Sequence, residues 1–424
     1  MNTGISPWAG SQRVDYEKLF EEFGIEPIGP VLDILPEVPS FMRRGIVIGH
    51  RDFLPIAEAI RDRKKFYVMT GFMPSGHPHL GHLILMREVA WYTSQGGTGY
   101  VAIADREAHA VRGTSWEDCR RYGREYLLAL YALGFKGTAY FQSRNNDLKD
   151  LAFEAGIRVN FSDLSAIYGF GQDTSLGHAM SVITQVGDIL YPQVDAGPAP
   201  TVVPVGVDQD PHIRLTRDVA HKMRMFTVED RGTCVSVRSK NAPPAALSEI
   251  AARFPGSKKY EGHVDIEYPE ANIASESIKE VKDVVREIEL SYGGYAFYTP
   301  SSTYHIFIQG LQGGKMSSSV PESLFSFWEE DESVKKKVMN ALTGGQSTMA
   351  EQKEKGGEPA RCPINQLNLF HMVADDKDMA AIAEACRRGE LLCGRCKKET
   401  YERVRTFLTG LREKMASMEH LVEQ

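Results

Sequence analysis

A chain of 424 residues is long enough for two or three domains with a sizeable buried core. Hydrophobic residues make up 42% and charged residues 25%, an ordinary globular balance, and no apolar run approaches the roughly 18 residues that span a bilayer. The net charge of −7 excludes a generic polyanion binder, so any nucleic-acid contact has to use local basic patches. The start MNTGISPWAG lacks a basic stretch and an apolar core, and six cysteines are too sparse for a disulfide scaffold, so a cytoplasmic location is expected.

In chain order, residues 1–64 read as an N-terminal extension with a helical stretch at 16–23. Residues 65–226 alternate apolar runs with amphipathic helices. A strand candidate at 66–69 leads through a Gly/Pro turn into a helix from about Leu80 to Ser94. A strand at 100–104 precedes a helix over 116–133, and a strand at 202–206 leads into a helix near Pro211. This alternation predicts an α/β fold, a parallel sheet with helices on both faces. Residues 227–303, with Ala242-Pro243-Pro244, several turn signals and a charged helical run at 277–286, read as an insertion of unreadable role. Residues 304–330 return to the core, and 331–424 are helical by periodicity, for example 379–388 and 399–422.

Two short stretches carry chemistry. Pro74-Ser75-Gly76-His77-Pro78-His79-Leu80-Gly81-His82 lies where a strand gives way to a helix, the place where backbone N–H groups and the helix dipole favour a phosphate. Pro74 and Gly76 shape the turn, and Gly81 lets a nucleotide approach the backbone. His79 and His82, one helical turn apart, can both donate to charge developing at a phosphate. The bland reading is a metal pair or surface histidines. Far downstream, Gly313-Gly314-Lys315-Met316-Ser317-Ser318-Ser319 has hinge glycines, one point charge and three hydroxyl donors, the parts of a mobile phosphate clamp. The bland alternative is a glycine-rich surface loop.

Together and in this order, the two stretches resemble the HIGH and KMSKS signatures of class I aminoacyl-tRNA synthetases. The resemblance implies a Rossmann-like, doubly wound catalytic domain that uses ATP and Mg²⁺ to activate an amino acid, and an all-helical anticodon-binding domain over 331–424. His79, His82 and Lys315 would be catalytic. Pro74, Gly76, Gly81, Gly206, Asp208, Met316, Ser317, Ser318 and Ser319 would bind ATP. Ser318 stands where the family usually has its second lysine, which leaves Lys315 alone in the cationic role.

The segment over 204–220, PVGVDQDPHIRLTRDVA, resembles its counterpart in tryptophanyl-tRNA synthetases. Ser6-Pro7-Trp8 and the stretches at 15–19, 23–24, 41–46 and 50–52 look like the extension of the archaeal and eukaryotic branch of that family. By position Asp208 is expected to cap the helix opened by Asp210-Pro211; by resemblance Asp208 and Gln209 would face ATP and the substrate ammonium. Glu107 is a second candidate for the ammonium, against a plain solvated charge. Gln185 and Asp188 lie on one face of an apolar helix, and a buried carboxylate needs a donor such as an indole N–H. The tyrosine and glutamine that serve the eukaryotic branch are replaced here by Met69 and Ala102. Archaeal tyrosyl synthetases share a similar Gln-x-x-Asp pair, so Asp188 does not separate tryptophan from tyrosine; the 204–220 segment and the extension favour tryptophan.

The expected partners are L-tryptophan, ATP, tRNA(Trp) and a second copy of the chain, with no membrane. The rivals are a tyrosine–tRNA ligase, a small-molecule adenylyltransferase with the same histidine motif, and an inactive RNA-binding relative. Cys393-Gly394-Arg395-Cys396 has zinc-knuckle spacing, with Cys362 and Cys386 upstream. The reading adopted is four ordinary thiols and no metal. The basic run from Lys397 to Lys414 is a candidate RNA-facing helix, against a solvated helix face.

Overall fold

A computed structural model of the chain describes residues 20, 23–268, 273–314, 316 and 320–422. Among them seven strands form the main sheet: Glu26–Pro27 (β1), Val47–Arg51 (β2), Tyr67–Phe72 (β3), Thr98–Ile103 (β4), Gly137–Phe141 (β5), Thr201–Gly206 (β6) and Ser301–His305 (β11), in the order β1-β2-β11-β6-β3-β4-β5. The five strands from β11 to β5 run parallel, and β2 and β1 add to β11 antiparallel. The sheet is therefore the expected Rossmann-like α/β sheet with a mixed edge. The expected extension supplies that edge, because β2 pairs with β11 about 250 residues away, a pairing that local periodicity does not reveal.

Two features of β3 and β6 place the cavity. The strands leave the sheet centre in opposite directions, β3 towards β4 and β6 towards β11, which makes their shared border a topological switch point. They pair only at Tyr67 with Thr201 and Val68 with Val202. Beyond that they part. Pro204 sits at the split; its carbonyl accepts from Thr70 Oγ1 at 3.4 Å. In a parallel strand a residue's N–H and C=O point the same way, so the N–H that proline lacks falls on the β3 side, where a ladder bond would otherwise form.

Residues 226–291 make a separate layer: Phe226–Asp230 (β7), Cys234–Ser239 (β8), Lys258–Tyr260 (β9) and His263–Glu267 (β10) in the order β7-β8-β10-β9, covered by helices Pro244–Arg253 and Ser275–Ser291. Its own core includes Val235, Val237, Ile250, Val264, Val281 and Ile288. Glu289, fully buried, ties it to the main body by accepting from Arg224 Nε at 2.7 Å and from the backbone N–H groups of Met225 and Ala296 at 3.0 and 3.1 Å.

The C-terminal stretch contains helices Asp331–Asn340, Met349–Lys355, Asp376–Arg387 and Cys393–Ser417. The first and last of them share a hydrophobic core with the sheet through Val334, Val404, Leu408 and Met415. Part of the basic run is used internally: Arg412 Nε donates to Phe327 O at 2.7 Å, and Lys397 Nζ to Met339 O at 2.9 Å.

Asp210 holds the sheet edge to the next helix. Buried at 1% exposure, it meets Arg51 Nε at 2.9 Å, Tyr304 Oη at 2.6 Å and Arg214 Nε at 3.0 Å. It thereby joins β2, β11 and helix Asp210–Lys222. Removing one partner of a buried pair strands the other charge, at about 3–5 kcal/mol. Asp210→Ala is expected to lower the unfolding free energy by about 3 kcal/mol in chemical denaturation; a loss below about 1 kcal/mol would show that the edge is held by other contacts.

Candidate active site

A cavity of about 390 Å³ opens where β3 and β6 part. One wall is Met69 to Phe72 of β3; the facing wall is Val203, Val205 and Gly206 of β6 with His305 to Ile308 after β11. Of the sequence candidates, Gly76, His79, Gly81, His82, Glu107, Gln185, Asp188, Gly206, Asp208, Gln209 and Met316 all line it. Pro74 does not; it is buried beneath the turn. Lys315, Ser317, Ser318 and Ser319 lie outside the described residues, as do Ser6, Pro7 and Trp8.

The histidine end is built by a helix cap. His79 is the N-cap of helix Leu80–Ser94; its Nδ1 accepts from Gly81 N at 3.0 Å, while its own N–H donates to His82 Nδ1 at 3.2 Å. The two rings stand 4.0 Å apart at 41°. With Nδ1 of each ring accepting, the proton of a neutral imidazole is assigned to Nε2. Burial lowers the His79 pKa to about 4, which keeps this ring neutral at neutral pH. Gly81 is required: a Cβ there would stand 2.8 Å from His79 Cε1. His82 also faces Tyr126 Oη at 3.3 Å.

The opposite end is a buried carboxylate. Asp188, 3% exposed on helix Leu176–Asp195, accepts from Tyr140 Oη at 2.8 Å and from Gln142 Nε2 at 2.6 Å. Burial raises its pKa to about 7; the two donors oppose the shift, and Glu107 and Asp105 add to it. Each carboxylate oxygen keeps a free lone pair after these bonds. Gln185, one turn earlier, has a buried Oε1 with no partner among the described residues. Tyr140, Gln142 and the buried His212 escaped sequence reading, although Gln142 and His212 line the cavity. His212 Nδ1 lies 2.9 Å from Tyr168 Oη, and burial depresses its pKa to about 3.

Asp208 corrects a sequence expectation. It does not cap the following helix. Gln209 is the N-cap, without a side-chain bond, and Asp208 lies in the short turn Val207–Gln209. Pro211 already occupies the first turn and has no N–H that needs an acceptor. Asp208 instead sits over Gly206, where a Cβ would stand 2.9 Å from its Oδ1.

A phosphate-favouring helix start, a pair of imidazoles and a buried acceptor share one cavity at a sheet switch point. The family model for class I tRNA synthetases (W and Y) matches residues 61–243 and 276–409. The chain belongs to the class I tRNA synthetases of the tryptophan and tyrosine group. It is 49% identical to the tryptophan–tRNA ligase of Methanosarcina acetivorans, over 100% of this chain and 98% of that one. It is 47% identical to the tryptophan–tRNA ligase of Archaeoglobus fulgidus, over 98% of each. The crystal structure of the tryptophanyl-tRNA synthetase of Aeropyrum pernix superposes with a TM-score of 0.75 at 32% identity, covering 96% of this chain and 95% of that chain. These full-length matches place the synthetase with the tryptophan enzymes rather than the tyrosine enzymes. The rivals outside the family fall with them.

The raised Asp188 pKa has a consequence for stability. Unfolded, its carboxyl titrates near 3.8; folded, near 7. Between these values the folded chain holds a proton that the unfolded chain has lost, so stability falls as pH rises through this window and levels off above it. In Asp188→Asn that fall is absent. Denaturation midpoints across pH 4–8 are expected to show the wild type losing ground to Asp188→Asn, by a few kcal/mol at most. Parallel curves would mean that the carboxyl is ionised throughout.

Proposed function

We propose that the chain is a tryptophan–tRNA ligase that activates L-tryptophan with ATP and Mg²⁺ and transfers it to tRNA(Trp). The observation that carries this reading is the single cavity with the imidazole pair at one end and Asp188 at the other. The indole N–H would donate to the free lone pair of Asp188, with Tyr140 and Gln142 fixing that carboxylate in place. Gln185, Gln209 and Glu107 would take the ammonium and carboxylate end. Gly76, Gly81, Gly206, Asp208 and Met316 would border the nucleotide, with Pro74 supporting the turn from below.

In the first step the tryptophan carboxylate oxygen attacks the α-phosphorus of ATP in line, and the bond to the β-phosphate oxygen breaks. The new negative charge on the α-phosphate oxygens faces the Nε2–H groups of His79 and His82. Because the His79 ring is neutral, it contributes a hydrogen bond rather than charge. Lys315, Ser317, Ser318 and Ser319 would hold the leaving pyrophosphate. The chemistry is positioning and electrostatics, with no covalent enzyme intermediate. The tRNA terminal ribose hydroxyl then takes the acyl group and AMP leaves.

A homodimer fits one exposed apolar surface. Phe153 and Ile157, on and just after helix Asn146–Gly156, are 78% and 61% exposed, and Leu176 and Met180 on helix Leu176–Asp195 are 81% and 64% exposed. The second helix is the one that carries Asp188, so a partner covering this face would brace the pocket. The C-terminal helices are the proposed anticodon reader, and a cytoplasmic location follows from the proposed reaction; no described helix is long and apolar enough to cross a membrane.

ATP–pyrophosphate exchange with each of the twenty amino acids tests the central reading. Exchange is expected with tryptophan alone; exchange with tyrosine would overturn the specificity. Tryptophan affinity should rise as pH is raised through about 7, where Asp188 ionises, and this dependence should vanish in Asp188→Asn, as read by calorimetry at each pH. A flat wild-type profile would remove Asp188 from the indole contact. Lys315→Ala should slow adenylate formation by on the order of 10²-fold or more with tryptophan affinity nearly unchanged; near-normal turnover would sink its role.

A further inference from the structure

The four cysteines of the C-terminal region are set in an arrangement that ordinary thiols do not need. Cys362 is buried, and Cys386, Cys393 and Cys396 are half-buried; all are free. They come from separate places: Cys362 precedes helix Pro363–Leu367, Cys386 is near the end of helix Asp376–Arg387, and Cys393 and Cys396 lie in the first turn of helix Cys393–Ser417. Two glycine pairs bring them to one neighbourhood. A Cβ at Gly345 would collide with Cys393 Sγ; one at Gly357 would stand 2.9 Å from Cys386 Sγ; one at Gly344 would stand 3.4 Å from the Cβ of Cys362. Gly357 N donates to Cys386 O at 2.9 Å and Glu358 N to Gly344 O at 2.7 Å, so the pairs lie backbone against backbone. Cys396 closes the group: it follows Cys393 by three residues in the first turn of the same helix, which puts both on one side of it.

A second observation is independent of the thiols. Gln352, 3% exposed, uses its Oε1 to accept from Gln346 N at 2.7 Å. Its Nε2 is buried with no hydrogen-bond partner among the described residues. That nitrogen would be 2.9 Å from a Cβ at Gly357, on the same side as Cys386 Sγ. A buried amide N–H₂ without an acceptor costs about 1–3 kcal/mol. It is compensated when the neighbouring sulfur becomes a thiolate, a strong acceptor.

We propose that Cys362, Cys386, Cys393 and Cys396 ligate a thiophilic metal centre, with the Gln352 amide donating to one of its thiolates. Four sulfurs with no carboxylate or imidazole select either Zn²⁺ or an iron–sulfur cluster. This replaces the sequence reading of four ordinary thiols. Among the described residues no three such side chains already converge on one point, so loading draws the thiols inward, with each sulfur losing its proton to solvent as the metal–sulfur bond forms. The centre would clip the turn at 343–345 and the start of helix Cys393–Ser417 to the end of helix Asp376–Arg387. None of the four cysteines lines the amino acid pocket, so the proposal stands apart from the assigned reaction.

The test uses the full chain purified anaerobically without chelator. Zinc, iron and acid-labile sulfide are measured, visible absorption is recorded, and native thiols are titrated before and after chelator or oxidant. About one zinc per chain, colourless, identifies the ion; iron with matching sulfide and broad visible absorption identifies the cluster. In either case four of the six thiols should be protected until the metal is removed. Cys393→Ser/Cys396→Ser should lose the metal, and Cys234→Ser should keep it. Gln352→Leu should keep the stoichiometry but release metal to chelator about tenfold more readily. A wild-type chain with neither metal and with these thiols reacting equally before and after chelator overturns the proposal. So does metal that is retained equally by the double variant. Because the deciding readout is on the wild type, a variant that fails to fold does not shelter the idea.

Discussion

The active site depends on two parallel strands that stop pairing. β3 and β6 are bonded to each other at two positions only, then diverge, and both continue as well-ordered strands against their other neighbours. The unmade ladder bonds leave polar backbone and small side chains facing a gap, an arrangement tolerable only where another group fills it. Proline at 204 suits that border because it has no N–H to leave unpaired. Everything else is hung around the gap. The helix start carrying His79 follows β3, the turn carrying Asp208 follows β6, and helix Leu176–Asp195 closes the far end with Asp188.

Two buried aspartates show how the surroundings set the role of one side-chain type. Asp210 is met by two arginines as well as a phenol. Charges of opposite sign compensate its desolvation, so it serves as a fixed joint between strands and helix. Asp188 is met only by neutral donors, a phenol and an amide. Those bonds hold its orientation without cancelling the cost of burial, so its ionisation is poised near neutrality. A further donor in the pocket tips the balance. In the proposed function that donor is the indole N–H, and an analogue without it would leave the carboxylate under-bonded, which is how a polar pocket rejects near-isosteres.

What was legible in the sequence is what depends on nearby residues. The helix expected from about Leu80 to Ser94, after the Gly/Pro turn, is observed over Leu80–Ser94 with His79 as its N-cap. The histidine motif, Gln185 and Asp188 were found because each sits at a local junction or on one helix face. What was missed is non-local. The pairing of β2 with β11 joins segments about 250 residues apart. Tyr140 and Gln142 reach Asp188 across 48 and 46 residues, and in sequence they are a strand residue and a loop residue with no distinguishing mark. The Asp208 error has a different origin: a capping aspartate and a site aspartate just before a proline-initiated helix look alike until the backbone turn between them is seen.

The cap on the first helix also limits what the histidines can do. A His79 whose Nδ1 is committed to Gly81 has one remaining polar atom, Nε2, and it is a donor. Protonation would require Nδ1 to give up the cap, and burial already holds its pKa near 4. The ring is therefore a permanent neutral donor with an orientation fixed by the helix it starts. Such a group can follow charge as it develops but cannot neutralise a triphosphate. In the proposed mechanism that task falls to Lys315 and Mg²⁺. Fixed donors at the reacting phosphate and positive charge at the leaving group are two halves of one requirement, which the proposed mechanism assigns to two stretches of chain more than two hundred residues apart.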